Sequence, residues 1–169
     1  PAVFELSRSA ATEKGPLTLH IDLLPQCSAP EIEELLRRRL SSMPELTTEN
    51  LLAGEWKFSF KKFLYDGNTD KIPRKMYTKW FDYDKIKDSL AIRNRRKGDY
   101  FVLDAAGHHK KLEDYFVNEK IPASHRDEQL LLAGEDEIFW IVGGRMAYGT
   151  GISDATRWVL EITASNSSH

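Results

Sequence analysis

Three stretches of this chain alternate apolar and polar residues with period two, and that alternation limits what it can become. In "LTLHIDLL", Leu17, Leu19, Ile21 and Leu23 fall on one side, with Thr18, His20 and Asp22 on the other. Successive side chains of a strand point to opposite faces, so this pattern predicts a half-buried strand. "WKFSFKKF" sets Trp56, Phe58 and Phe60 against Lys57, Ser59 and Lys61 in the same way. "TRWVLEI" aligns Thr156, Trp158, Leu160 and Ile162. The aromatic-rich "MYTKWFDYDKI" predicts a further strand. "SLAIRNR" predicts another, with Leu90 and Ile92 inward and Arg93 and Arg95 on the opposite face. "EIFWIVGG" is apolar without alternation, the signature of a strand buried on both faces.

Two segments read as helices instead. "SAPEIEELLRRRL" has capping-box spacing at Ser28 and Glu31, Pro30 in the first turn, and an apolar stripe at Ile32, Leu35, Leu36 and Leu40. Arg37 and Arg38 then lie on its solvated face. "HHKKLEDYFVNEKIP" places Leu112, Tyr115, Phe116 and Glu119 on one helical face, and Pro122 ends it. "DGNTD", following Tyr65, is a turn. Several strands with few helices predict an α+β fold built on mixed, mostly antiparallel sheet. We divide the chain into an N-terminal subregion, 1–76, of strand, helix and strand; a C-terminal unit, 77–163; and a polar tail, 164–169.

The 169 residues suffice for one good core. No apolar run approaches the roughly 20 residues of a membrane span, and no signal-peptide pattern opens the chain. The start at Pro1 leads us to expect a piece of a longer protein. The single cysteine, Cys27, excludes an internal disulfide and fits a reducing, cytoplasmic setting.

Catalytic signatures are missing from the sequence. It has no Cys/His metal spacing, no Gly-x-Ser-x-Gly elbow and no Gly-x-x-x-x-Gly-Lys-Ser/Thr loop. "GGRMAYGTG" lacks the lysine of a phosphate loop and reads as turns between strands. His108 and His109 are adjacent and diverge on a helix, which makes them a poor metal pair. We therefore expect neither a catalytic nor a metal-binding residue in this chain.

Charge is unevenly placed. Residues 1–89 carry 14 basic and 14 acidic side chains, residues 90–126 carry 8 and 5, and residues 127–169 carry 2 and 7. The cations open with "RNRRKGDYF": Arg93, Arg95, Arg96 and Lys97, followed by Gly98 and Asp99. Lys110 and Lys111 then stand at the predicted start of a helix, where cations oppose the dipole unless an anion docks there. A phosphate-binding surface or a plain solvated basic face both accommodate this pattern.

The spelling of this region resembles the C-terminal domain of bacterial tRNA(Ile)-lysidine synthetases. The resemblance rests on Arg93, Arg95, Gly98 and Asp99; on Gly107, Lys111 and Leu112; on Ile121, Pro122, Arg126 and Asp127; and on Trp140, Gly143 and Arg145, in that order across residues 77–162. Residues 1–76 match only loosely. Gln129-Leu130-Leu131-Leu132 stands where the family has Ile-Pro-Leu-Leu, without its turn-fixing proline. The resemblance implies a fold shared with a domain of the phenylalanyl-tRNA synthetase β subunit and contact with a tRNA acceptor stem. It adds Arg126 and Arg145 to the tRNA-binding set of Arg93, Arg95, Arg96, Lys97, Lys110 and Lys111. Gly98, Asp99, Gly107 and Pro122 become turn-forming residues, Asp99 fixing its turn through the backbone or an arginine. It implies a parent ligase that attaches lysine to the wobble cytidine of tRNA(Ile), with ATP and magnesium held in an N-terminal catalytic domain. The Ser-Gly-Gly-x-Asp-Ser loop of that domain is absent from this sequence. The competing expectations are a protein-interaction or oligomerisation module that exposes its aromatic strands, and a hydrolytic editing domain.

Overall fold

The computed structural model describes the backbone of residues 3–8, 17–22 and 48–53, and residues 37–38, 40–41 and 55–166 with their side chains. Cys27, the helix start at Ser28–Glu31 and residues 167–169 lie outside the described residues. A six-stranded sheet runs in the order β1-β2-β3-β4-β11-β5. Its strands are β1 (Val3–Arg8), β2 (Leu17–Asp22), β3 (Thr48–Ala53), β4 (Trp56–Leu64), β5 (Thr78–Asp82) and β11 (Trp158–Asn166). Among the described strands, β2 and β3 are the one pair that runs parallel. A parallel pair needs a long crossover, and the chain is helical at residues 37, 38, 40 and 41, inside that connection. Leu40 is buried there, as its stripe predicts. Arg37 is less free than predicted: its guanidinium donates to the Asp88 carbonyl at 2.9 Å and so ties the crossover to the C-terminal unit.

A second sheet has the order β10-β9-β6, from β6 (Ala91–Arg93), β9 (Leu131–Ala133) and β10 (Ile138–Ile141). A two-stranded ribbon joins β7 (Tyr100–Val102) to β8 (His109–Lys111). Three short α-helices, α1 (Tyr83–Ile86), α2 (Leu112–Asn118) and α3 (Ala123–Arg126), and a 3-10 turn at Thr69–Lys71 are also described. The fold is α+β with mostly antiparallel sheets.

Two apolar clusters explain the strand patterns. Phe58, Phe60, Phe81, Leu132, Trp140 and Leu160 belong to one, which fills the space between the large sheet and the β10-β9-β6 sheet. Phe101, Leu112, Phe116, Leu131, Ala133 and Ile141 belong to the other, beneath the ribbon and α2. Leu130 and Leu132 face the first cluster while Leu131 and Ala133 face the second. The middle sheet therefore has apolar neighbours on both sides, and its strands need no polar alternation.

Several expectations are corrected. The strand predicted through Ile86 stops at Asp82, whose carboxylate accepts from the Asp84 N–H at 3.2 Å and starts α1. The helix predicted from His108 begins at Leu112, because His109–Lys111 pair with β7. It ends before Pro122: Lys120 takes φ +55° and the Ile121 N–H reaches the Phe116 carbonyl at 2.9 Å, a Schellman-type closure. Strand β9 was not predicted. Strand β11 runs on through Asn166, pairing residue by residue with β4 as far as Trp56, so 164–166 are sheet rather than tail. Lying between β4 and β5, β11 also carries the large sheet across residue 77.

Candidate nucleic-acid interface

The cationic turn is built on a buried ion pair. β6 ends at Arg93, and the Asp99 carboxylate meets its guanidinium at 2.7 and 2.9 Å, both side chains 1% exposed. Arg93 also donates to the Asn94 and Glu135 carbonyls at 2.9 and 2.7 Å. The same carboxylate accepts the Arg96 N–H at 2.7 Å, and the Asp99 N–H returns to the Arg96 carbonyl. Gly98, at φ +91°, supplies the left-handed residue this closure requires.

This geometry corrects the predicted role of Arg93. The period-two reading put Arg93 and Arg95 on one outward face, but the strand ends at Arg93, which turns into the protein. Arg95 is half-buried, its Nε 2.7 Å from the Asp127 carboxylate. Arg96 is exposed and donates to the Glu135 carbonyl at 3.0 Å. Lys97 is exposed and has no ion pair among the described residues. Asp99 holds the turn through both an arginine and the backbone.

The ribbon brings further cations beside this turn. Tyr100 pairs with Lys111, Phe101 with Lys110 and Val102 with His109. The Leu112 N–H donates to the Asp99 carbonyl at 3.0 Å, so Lys111 emerges next to the turn. The rings of Tyr100 and His109 lie 4.9 Å apart. Phe101 is buried opposite Lys110, and the Arg145 guanidinium stands 5.4 Å over its ring. Lys110 and Arg145 thus flank one aromatic side chain. Lys110 and Lys111 make no ion pair among the described residues.

Not every predicted residue joins this surface. Arg126 donates through Nε to the Ile121 carbonyl at 2.9 Å and fastens the end of α2 to α3, which starts after Pro122. Lys110 lies in the ribbon, and Lys111 is the N-cap residue of α2 without a side-chain capping bond; Glu113 and Asp114 occupy the first turn, the favourable sign there. At that start the Leu112 N–H is already taken by the Asp99 carbonyl. Gly107, at φ +82°, closes the loop 104–108. In that loop Asp104 accepts from the His108 ring at 2.8 Å. This hydrogen bond, and backbone N–H groups behind it, hold the Asp104 carboxyl below the usual range. The acidic run 134–137 reads as a turn in the sequence, but its part in the site does not: the Glu135 carbonyl accepts from both Arg93 and Arg96. The available signal was the polar run after Gly134, set between two apolar stretches. Among the described residues, no three His, Cys, Asp or Glu side chains gather as metal ligands, and no helix is long and apolar enough to cross a membrane.

Comparison with known proteins bears on this surface. Residues 90–162 match the family model of the TilS substrate C-terminal domain. The tRNA(Ile)-lysidine synthase of Caldanaerobacter subterraneus subsp. tengcongensis is 38% identical over 104 residues, 61% of this chain and 22% of that protein. That of Clostridium perfringens is 37% identical over 119 residues, 70% of this chain and 22% of its own length. That of Clostridium acetobutylicum is 29% identical over 148 residues, 88% and 30% of the two chains. A solved TILS C-terminal domain aligns with a TM-score of 0.49 and 23% identity, over 65% of this chain and 85% of that one. The chain therefore spans between a fifth and a third of the length of these curated relatives. The sequence resemblance is borne out: the cationic turn, the ribbon, α2, β9, β10 and the first half of β11 lie in the matched region.

Proposed function

We propose that this chain, with its lysidine-synthase C-terminal region at residues 90–162, is the RNA-holding part of a tRNA(Ile)-lysidine synthase. One observation carries the reading. The buried Arg93–Asp99 pair braces a turn that presents Arg96 and Lys97 outward beside Lys111, in a chain of net charge −2. A-form RNA hides its major groove and displays phosphates and 2′-hydroxyls, so such a stem is held by a shaped array of cations. Lys110 and Arg145 extend the array around Phe101, and Arg95 borders it. The partners are tRNA(Ile) and the catalytic domain of the same parent protein, in the cytoplasm. The parent reaction uses ATP to join lysine to the wobble cytidine. ATP and magnesium belong to the catalytic domain, since these 169 residues carry no pyrophosphatase loop.

Burial of Phe58, Phe60, Trp80 and Phe81 removes the main support for a protein-interaction module built on exposed aromatic strands. Electrophoretic binding of isoleucine tRNA across a salt series tests the proposal. Affinity should fall linearly on logarithmic axes, by about 0.7–0.9 in slope per phosphate neutralised. Absence of binding at low salt would overturn it. Addition of ATP, lysine and magnesium should yield no lysidine from this chain alone.

A further inference from the structure

A second feature stands on the flank of the same turn. Trp56, Tyr77, His125, Glu128 and Gln129 line a cleft of about 260 Å³. That is smaller than the ~300–1,000 Å³ of a drug-sized ligand site and suits one planar heterocycle. Tyr77 is 39% exposed, and its ring centroid lies 5.6 Å from that of Trp56. Tyr77 is also held through its backbone, the Ala164 N–H donating to its carbonyl at 2.8 Å. Gly143, at φ +82°, leaves it room, since a Cβ there would stand 2.7 Å from the ring. An exposed aromatic ring already fixed in place stacks on a ligand with little further ordering cost.

The rim can read a polar edge. Gln129 donates through Nε2 to the Leu130 and Val142 carbonyls, both at 2.9 Å, which fixes the amide and leaves Oε1 as an acceptor. His125 and Glu128 are exposed beside it. Cations border the cleft on both sides. Arg74 and Lys75, immediately before Met76 and Tyr77, are exposed and form no ion pair among the described residues. Opposite, Arg95 pairs with Asp127 and Asn94 donates to the Gln129 carbonyl at 3.4 Å. The cationic turn therefore abuts the very segment that walls the cleft.

We infer that this cleft takes one unpaired nucleobase of an RNA whose phosphates cross the Arg95–Lys97 turn, an inference resting on the RNA-binding reading above. Aromatic platforms beside a basic track are how single-stranded nucleic acid is held, and the π-face of any base suffices for stacking. Tyr77 is the stacking residue. Gln129, His125 and Glu128 meet the edge of the base, and Arg74 and Lys75 meet the phosphate beyond it.

The test compares short RNA duplexes, blunt or carrying a single-stranded overhang, against the full chain. The wild type should bind the overhang form more tightly. Tyr77→Ala should lower that affinity about 5- to 100-fold, while Tyr77→Phe retains it and blunt-duplex affinity stays unchanged. Overhang affinity equal in wild type and Tyr77→Ala overturns the inference and leaves the RNA-binding reading intact. Failure of the blunt duplex to bind at all overturns that reading instead. Should Tyr77→Ala not fold, 4-thiouridine in the overhang is photocrosslinked to the unaltered protein. Adducts on Trp56, Tyr77 or His125 support the site, and adducts confined elsewhere overturn it. Altered self-association in Tyr77→Ala with RNA affinity unchanged would assign the cleft to a second copy of the chain and likewise overturn the inference.

Discussion

Arg93 and Asp99 face each other across six residues, 2.7 and 2.9 Å apart through two parallel hydrogen bonds, and both are withdrawn from solvent. The most cationic stretch of the chain thus commits its first arginine to architecture. Two charges buried together are stable only as a pair, and the Asn94, Arg96 and Glu135 backbone groups add further hydrogen bonds to the two guanidinium NH2 groups and to the carboxylate.

Removing either partner should unfold the turn rather than weaken a phosphate contact. Arg93→Met or Asp99→Leu should each cost about 3–5 kcal/mol, because the remaining charge stays buried and unpaired. Chemical denaturation measures this. A loss below about 1 kcal/mol, the scale of an exposed pair, would place the pair at the surface.

The exposed lysines should behave in the opposite way. Lys97→Glu with Lys111→Glu should weaken tRNA binding and flatten its salt dependence, by about 0.7–0.9 in slope for each phosphate no longer neutralised. The denaturation midpoint should not move. Arg157→Glu, outside the cationic segment, is the control. Identical affinity and slope in the wild type and the double variant would move tRNA to another surface.

Leu112 links the ribbon to α2, with its N–H on the Asp99 carbonyl and its side chain in the second core. Leu112→Ala should cost about 2–5 kcal/mol, as deletions of buried leucine do. An unchanged denaturation midpoint would contradict its burial.

Gly143→Ala should disturb Tyr77 directly. The new methyl group would meet the tyrosine ring at 2.7 Å from a backbone at positive φ. Such left-handed strain costs on the order of 1–3 kcal/mol by itself. Lower stability, with a changed solvent accessibility of Tyr77 in tyrosine iodination, is the expected outcome. A variant as stable as wild type would mean that residue 143 is free to rearrange.

Asp104 sets a dependence on acid. Its carboxyl is held below the usual range first by the His108 hydrogen bond and then by backbone N–H groups. A depressed carboxyl stabilises the folded loop above its unfolded pKa, and that contribution is lost as pH falls through the folded value. Side-chain carboxyl NMR should find Asp104 titrating below an ordinary aspartate, with the Ala106 and His108 amides responding over the same range. An ordinary or raised value would show that the loop hydrogen bonds do not form. Because the Asp104 side chain is about half open to solvent, global stability should barely register the change.

What each residue pattern could disclose depended on whether its partners were near in sequence. Trp56–Phe60 and Trp158–Ile162 alternate because Phe58, Phe60, Leu160 and Ile162 share the core between the sheets, and the large sheet contains both strands. Val159, on the other face of β11, is buried as well. The apolar run at Ile138–Ile141 signalled burial on two sides, and the two clusters supply those sides. Gly98 and Asp99 announced a fixed turn. By contrast, His109–Lys111 carry helical spacing into α2, yet pairing with Tyr100–Val102 holds them extended. Leu131–Ala133 gave no separate signal, since their neighbours are a strand far upstream, Ala91–Arg93, and one just downstream, Ile138–Ile141.

The sequence alone determined the α+β class, the apolar residues of the core and the position of the cationic segment, because periodicity, turn chemistry and charge are local properties. Only the tertiary structure decided which cations face outward. Arg93, Arg95 and Arg126 are held by Asp99, Asp127 and the Ile121 carbonyl, while Lys97, Lys110 and Lys111 have no ion-pair partner among the described residues. A guanidinium and an ammonium count alike in a sum of charges. What separates them here is whether folding brings a carboxylate or carbonyl within hydrogen-bond reach, and that is fixed by the packing of β6, the ribbon and the segment 127–135 against one another.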